Sequence, residues 1–437
     1  MNKRIVAGID IGTAKIATII ASISEDGLVN ILGVAAGKSR GIRKGQIVDI
    51  EEATSCIVES LEAAERMAGY SISSAFFTVG GAHIMSQNSH GVVAVAEPQK
   101  EITPLDVRRA VEAAKAINLP STREILHVLP REFIVDTQEG IKDPVGMTGV
   151  RLEVNTHILT ASSTALRNLE KCASLVGIDV DGFVFNGLAS STAVLTETEK
   201  ELGVVVVDIG GGTTDICMYI DGALSYSSVL PMGARNITND LAIGLRISLE
   251  SAEKIKLLLN KKQKEIVQPE IVDLEAAKKT RAKGDGADDL DLTELQLPEG
   301  LNKISRKTLV DGIIRPRLNE IFAMVALEIK KSGFGGLTPA GIVITGGGAE
   351  TMGIVETAKR NLAMQVRVGN PTGITGLVDE ILTPSFATSV GLILYAAKSG
   401  VLTREKFSLG KFSKIVGKVP IQNTAGKFVE LIKSFLP

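Results

Sequence analysis

The chain has 437 residues, with 48 Lys and Arg against 50 Asp and Glu, for a formal net charge of −2. That balance gives no reason to expect nucleic acid as a partner, and an aromatic content of 4% argues against base stacking. With 44% hydrophobic residues but no long apolar run, there is material for two or more domains with sizeable cores.

The N-terminus, M-N-K-R-I-V-A-G-I-D, goes straight into a strand carrying Asp10 and does not read as a signal peptide. Ile5–Ile20 predicts a strand to Asp10, a turn at Gly12 and Thr13, and a strand resuming at Ile16. Asp26-Gly27 then turns the chain into a third strand over Leu28–Val34. Ser39–Val48 is a glycine-rich, basic loop. Glu51–Ala68 is an amphipathic helix, with Ile57, Val58, Leu61 and Ala64 on one face and Gly69 as its stop. Ala75–Val79 is a buried strand.

Residues 82–161 read as a separate small α+β insertion. Strands are expected around Ile84 and over Gly91–Val95, then a helix over Thr103–Ile117 with Thr103-Pro104 as N-cap and N1. Strands follow at Ile125–Val135 and Val150–Thr160. Nothing there has catalytic spacing, so the insertion reads as an interaction surface. A helix at Thr164–Val176, a strand at Val180–Phe185 and a helix at Gly187–Glu201 come next. The first half of that last helix is small residues, as close packing against another element requires.

Val204–Ile216, V-V-V-V-D-I-G-G-G-T-T-D-I, repeats the opening pattern. Four valines predict a strand buried on both faces, Asp208 lies near its end, and Gly210, Gly211 and Gly212 turn the backbone. Thr213–Ile220 is β-branched and aromatic, so a second strand follows the glycines; a dinucleotide fingerprint would need a helix there. No G-x-x-x-x-G-K-[ST] occurs, which excludes a P-loop. Asp221-Gly222 turns into a third strand over Ala223–Leu230.

Ser251–Leu259 predicts a helix whose Glu253 and Lys254 face away from Ile255, Leu258 and Leu259. Lys261–Gly300 alternates blocks of charge and reads as a long mobile loop or lid. Ile304–Ser332 is helical in pattern, divided or kinked by Pro316. Gly341–Ala349 predicts a strand into a glycine turn at Gly346, Gly347 and Gly348, then a helix at Ile354–Leu362 and an edge strand at Val366–Val368. Ser385–Ala397 is a second small-residue helix, expected to cross the one at Gly187 as a hinge. Leu402–Lys427 is a basic linker. In Gly426–Pro437, Phe428, Leu431, Ile432, Phe435 and Leu436 form one apolar face beside Lys427 and Lys433. At ~18 Å such a helix cannot span a ~30 Å hydrocarbon core, so it would lie in the membrane interface. The three cysteines and four histidines lack metal-ligand spacing and read as core or surface residues, the cysteines in a reducing cytosol.

Two D-I-G hairpins, one opening each half, suggest related half-molecules facing one another. Their backbone N–H groups, with the hydroxyls of Thr13, Thr213 and Thr214, would donate to a polyphosphate, and Lys15 would reach its outer phosphates. Asp10 and Asp208 would hold the waters around a Mg²⁺.

The hairpin pair, the third glycine turn and the two small-residue helices resemble the actin / Hsp70 / sugar-kinase ATPase superfamily. Within it the chain is similar to the FtsA family of bacterial cell-division proteins. That resemblance is carried by I-D-I-G-T-A-K at Ile9, V-V-D-I-G-G-G-T-T-D-I at Val206, A-E-K-I-K at Ala252, I-I-R-P-R-L-N-E-I-F at Ile313 and V-I-T-G-G-G-A at Val343. It implies an α/β, actin-like (ribonuclease H-like) two-lobed fold with an inserted small α+β subdomain. The first lobe would be 1–81 completed by 162–203 and 376–400. The second would be 204–235 completed by 334–375, with 236–333 as its outer subdomain. A linker over 401–425 and a helix over 426–437 would follow.

The resemblance further implies ATP with Mg²⁺ in the cleft, with Glu253 and Lys254 at the adenosine. It implies polymerisation, a membrane-binding C-terminal helix, and capture of the tail of the tubulin-like FtsZ by the segment holding Lys303, Arg306, Lys307 and Arg317. Other division proteins would meet the insertion, and the place would be the cytoplasmic face of the inner membrane. Two rivals share the superfamily: a small-molecule kinase, for which no catalytic acid facing the γ-phosphate stands out, and a PilM-like pilus-assembly homologue.

Overall fold

The computed structural model describes residues 4–95, 101–267 and 288–402. The chain falls into two compact units, Met1–Ala397 and Lys398–Pro437. The architecture below is that of the first. The described part of the second is the end of the last helix, 398–402.

The opening strand β1 (Arg4–Ile11) pairs antiparallel with β2 (Lys15–Ile23), and β2 with β3 (Val29–Lys38). On the other side of β1 come the parallel strands β6 (Ser74–Val79) and β11 (Asp179–Phe185). A short hairpin, β4 (Ile42–Arg43) with β5 (Gln46–Ile47), lies between β3 and β6 in sequence. The second sheet repeats the plan. Strands β12 (Val204–Ile209), β13 (Thr214–Ile220) and β14 (Ala223–Leu230) form an antiparallel meander. The parallel strands β17 (Ile342–Thr345) and β18 (Val366–Val368) lie beyond β12. The order β14-β13-β12-β17-β18 is that of β3-β2-β1-β6-β11, so the sequence repeat is also a repeat of topology. The first sheet gains one extra strand, β19 (Ile374–Gly376), beside β3.

The four-valine strand works as its composition demands. Val204 and Val206 enter the core shared with the first sheet, while Val205 and Val207 enter a second core with Ile342, Ile344 and Phe322. A strand with a hydrophobic core on each face needs apolar residues at every position, not at alternate ones.

The helices follow their caps. Asp49 opens α1 (Ile50–Ala68) by accepting from the Glu52 N–H, and Gly69, at φ 71°, closes it. Thr103 and Asp106 form a capping box at the start of α2 (Pro104–Ala114). Next come α3 (Ser163–Val176) and α4 (Asn186–Val194). The continuous helix expected over Gly187–Glu201 is broken at Leu195 and Thr196. Thr196 and Glu199 form a second capping box that starts α5 (Glu197–Leu202) afresh. The final helix α11 (Ala387–Leu402) crosses α4 where a Cβ on Gly391 would strike the carbonyl of Ala189. That approach is what the small residues of both helices allow.

The insertion forms its own sheet, ordered β7-β10-β8-β9. Its strands are β7 (Met85–Ala94), β8 (Arg123–Val135), β9 (Gln138–Ile141) and β10 (Arg151–Ser162), with α2 packed on one face over a core of its own. The two strands expected around Ile84 and at Gly91–Val95 are one strand, β7, because β10 pairs with it without interruption from Met85 to Ala94.

The second half also contains α6 (Ala234–Leu245), α7 (Leu249–Val267), α8 (Arg306–Leu309), a π-helical turn over Val310–Ile314, α9 (Arg315–Ser332) and α10 (Ile354–Leu362). The lid expected over Lys261–Gly300 needs correction at both ends. Helix α7 continues to Val267. Strand β15 (Asp289–Asp291) pairs with β16 (Lys303–Ser305), and Leu290, Leu292 and Leu297 are buried in the second core. Those leucines sit among acids, which disguised them as part of a solvated run. Ile304, expected at a helix start, is on β16, where it pairs with Leu290. Residues 268–287, the linker beyond Leu402 and the amphipathic segment with Phe428, Leu431, Ile432, Phe435 and Leu436 lie outside the described residues.

Candidate functional site

Both D-I-G segments are tight hairpins: the Gly12 N–H donates to the Lys15 carbonyl at 3.0 Å, and the Gly210 N–H to the Thr213 carbonyl at 2.9 Å. Their tips meet. A Cβ on Gly211 would come within 2.7 Å of the Ala14 Cβ, and one on Gly212 within 2.8 Å of the Thr13 Oγ1. Only glycine permits this approach. Among the described residues, no acceptor meets the N–H of Gly211 or Gly212. The Thr13 hydroxyl accepts from the Gly45 N–H at 3.0 Å, and the Thr214 hydroxyl donates to the Met232 carbonyl at 2.8 Å. The start of α6 supports the second hairpin from below, where the N–H groups of Ala234 and Arg235 donate to the carbonyls of Gly210 and Gly211.

Asp10 directly follows Ile9 and Asp208 directly follows Val207, each one residue before its strand ends, and both are buried. Neighbouring residues of one helix hold them: Ser389 Oγ donates to Asp10 Oδ2 at 2.6 Å, and Thr388 Oγ1 to Asp208 Oδ2 at 2.8 Å. Thr78 Oγ1 donates to the other oxygen of Asp10 at 3.0 Å. Burial pushes the Asp208 carboxyl up to about 6; hydrogen bonds from Thr388 and Ser190 and the Lys15 ammonium act the other way, while the Asp10 charge adds to the rise.

Lys15 donates to the Ser385 carbonyl at 2.6 Å and stands 3.4 Å over the Phe386 ring. Burial brings its pKa down to about 8, against the attraction of Asp10, Asp208 and Glu350. The third glycine turn closes the group. At Gly346, φ 81°, a Cβ would run into Asp208 Oδ1, and one on Gly348 into Ile209; Gly347 is exposed.

The remaining residues singled out by sequence are spread along the second half. Thr238 Oγ1 donates to Glu253 Oε2 at 2.5 Å, and Lys256 Nζ donates to both, at 2.8 and 2.7 Å. Lys254 is half-exposed and pairs with Glu250 at 3.5 Å. Helical spacing explains the difference: positions 253 and 256 share a face, and 254 is turned about 100° away. Lys303 and Lys307 are exposed and Arg306 is half-buried. Arg317 is tied to Asp240 by two hydrogen bonds, at 2.6 and 2.9 Å, and pairs also with Glu320, which raises its pKa.

Three polar residues beside Asp10 and Asp208 escaped the sequence reading: Asp215, Thr388 and Ser389. Asp215 is the cross-strand partner of Asp208. Burial pushes its carboxyl well up, helped by the charges of Asp208 and Asp10. Its Oδ1 and the Oδ1 of Asn186 are buried without partners. The signal for Asp215 was the last letter of D-I-G-G-G-T-T-D. Nothing local marks Thr388 and Ser389, whose role depends on where α11 crosses. Among the described residues no three His, Cys, Asp or Glu side chains gather as a direct metal cage.

Duplicated five-strand cores, each ending its first strand in an aspartate hairpin, define the actin-like fold. Solved structures agree. A PilM-PilN type IV pilus biogenesis complex matches with TM-score 0.62 at 16% identity, over 90% of this chain and 98% of that one. MreB 5 of Spiroplasma citri, in a structure bound to AMPPNP, matches with TM-score 0.51 at 12% identity, over 92% and 99%. The family described as cell division protein FtsA matches residues 205–391, and the SHS2 domain inserted in FtsA matches 81–160. The FtsA of Borreliella burgdorferi is 39% identical over 97% of this chain and 96% of its own. That of Pseudomonas aeruginosa is 38% identical over 90% and 89%, and that of Escherichia coli 37% over 91% of each. The chain belongs to the FtsA family of cell division proteins.

Proposed function

We propose that this division protein binds Mg²⁺-ATP between its two hairpins, polymerises on the cytoplasmic face of the inner membrane, and tethers FtsZ filaments there. The observation that carries the nucleotide reading is the pair of buried carboxylates, Asp10 and Asp208, held by adjacent hydroxyls beneath two touching glycine turns. The residues fit the ligand. Unmet N–H groups at Gly211 and Gly212 suit phosphate oxygens. A carboxyl raised to about 6 by burial gains from a nearby dication. Mg²⁺ in nucleotide sites takes most of its ligands from phosphate and water, so two carboxylates suffice. When bound, Mg²⁺ neutralises the charge of the triphosphate. Lys15 adds one positive charge, and Thr388 and Ser389 hold the two aspartates from adjacent positions of one helix. Glu253 and Lys256, linked through Thr238, are suited to a ribose. The MreB 5 structure bound to AMPPNP supports the same choice of ligand.

Tethering rests on the two ends of the sequence argument. The basic linker and apolar face after Leu402 suit a membrane surface, one copy weakly and a polymer firmly. Among the described residues no helix is long and apolar enough to cross a membrane. Lys303, Arg306 and Lys307 offer positive charge to an acidic tail, whereas Arg317 is already committed to Asp240. Co-sedimentation with anionic liposomes tests the membrane role: the full chain should pellet and a chain ending at Thr424 should stay in the supernatant. Equal pelleting would discard it. Lys303→Glu with Lys307→Glu should weaken an acidic FtsZ-tail peptide at least about tenfold, in line with two lost charge contacts; unchanged binding would remove those residues from the pocket.

A further inference from the structure

The inserted module is joined to the two halves of the molecule by different chemistry. Toward the first half the join is apolar: Ile84, Leu159 and Ala161 lie in the first core, and the chain enters from β6 and leaves into α3. His127 on β8 adds one directed bond, its Nε2 accepting the Phe185 N–H at 3.0 Å. Burial keeps that imidazole neutral, with a pKa brought down to about 4.

Toward the second half, where Leu224 and Val229 of β14 enter that same core, the join adds a row of hydrogen bonds. Strand β14 is the edge of its sheet, and three strands of the module lie against it. Ser86 Oγ donates to the Ser227 carbonyl at 2.6 Å, and Asn88 Nδ2 to the Ser225 carbonyl at 3.3 Å. Arg131 Nε donates to Ser225 Oγ at 3.0 Å. His157 Nε2 is 3.0 Å from Ser227 Oγ, while its Nδ1 is 2.7 Å from Asn88 Oδ1.

We infer that the module is a releasable latch across the cleft, rooted in the first half and hydrogen-bonded to the second at Ser225–Ser227, and that it sets how far the two halves open. The join to the first half is also covalent, the chain running from β6 into the module and from the module into α3, and close packing of Ile84, Leu159 and Ala161 holds it in register. The join to β14 is non-covalent, and its hydrogen bonds at a strand edge exchange for water at small net cost, so it is the one that gives. Covering the edge of β14 could be done by any chain laid along it. Here the cover is a sheet anchored in the opposite half, so opening the cleft and sliding this join are one event. Coupling of this kind is reciprocal: a partner that draws Ser86 or Arg131 off β14 loosens the cleft, and a ligand that closes the cleft tightens the module. The identity of that ligand rests on the nucleotide reading above; the latch itself does not.

The test uses the full chain, spin-labelled at Glu62→Cys on α1 and Lys359→Cys on α10; the three native cysteines are buried. Distances between the labels are measured without nucleotide, with Ser86 and Arg131 intact or both changed to Ala. Hydrogen exchange along β10 confirms that the module remains folded in the variant. Release of the latch should broaden the distance distribution roughly twofold, and mant-ATP should leave the variant about tenfold faster. An unchanged distribution with β10 still protected overturns the latch. A broader distribution with an unchanged mant-ATP rate overturns its coupling to the cleft. Failure of either protein to bind mant-ATP sinks the nucleotide reading, and the distances alone then decide the latch.

Discussion

Asp215 is the residue whose chemistry is most at odds with its place. Its folded pKa is raised, first by burial and then by Asp208 and Asp10, so the native state holds a proton that the unfolded chain releases. The stability that proton contributes is present below the unfolded carboxylate pKa of about 4 and is lost as pH rises toward the folded value. Asp215→Asn, which removes the titration and offers an amide to the neighbouring carboxylate, should raise the urea midpoint at pH 7 and flatten its change above pH 4. A lower midpoint in the variant at pH 7 would contradict this. Lys15 titrates in the opposite sense: burial lowers its pKa to about 8, and a bound triphosphate would raise it again. Binding of ATP at pH 8.5 should therefore take up protons, and affinity should fall as pH rises through 8. Calorimetry in buffers of different ionisation enthalpy reads the uptake directly, and Lys15→Arg should abolish it.

Among the elements, strands bounded by glycine and helices bounded by caps were legible; those settled by distant packing were not. The hairpins at Gly12 and Gly210 are written locally, since glycine and β-branched residues leave the backbone few choices. The break between α4 and α5 was also written, in Thr196 and Glu199, but a continuous helical period masked it. Arg367 fixes that joint from β18, donating to both carboxylate oxygens of Glu199 and to the Val194 carbonyl. Strand β15 was hidden because the leucines of A-D-D-L-D-L alternate with acids, a pattern shared by a solvated run and a half-buried strand. Its burial makes a clear expectation: Leu292→Ala should cost about 2–5 kcal/mol in denaturant unfolding, where a leucine of a free loop would cost almost nothing. The crossing of α4 and α11 gives another. Gly391→Val, whose side chain would meet the Ala189 carbonyl, should destabilise by about 1–3 kcal/mol or more. A neutral effect in unfolding experiments would mean that the two helices have room to part.

At the scale of the whole molecule, the repeat was visible in the sequence as two aspartate-glycine turns and appears in the structure as one strand order used twice. The sequence showed α11 only as a crossing helix; what it could not give is that this helix places Thr388 and Ser389 on an aspartate of each half. That helix converts two similar hairpins into one site, and its contribution depends on a contact across 180 residues in one case and 379 in the other. The most direct test is a crystal structure of the full chain grown with ATP and Mg²⁺. Expected is a triphosphate lying against Gly12–Lys15 and Gly210–Thr213, with the metal one water away from Asp10 and Asp208. Nucleotide bound on any other surface, or the two aspartates turned away from it, would contradict the shared site.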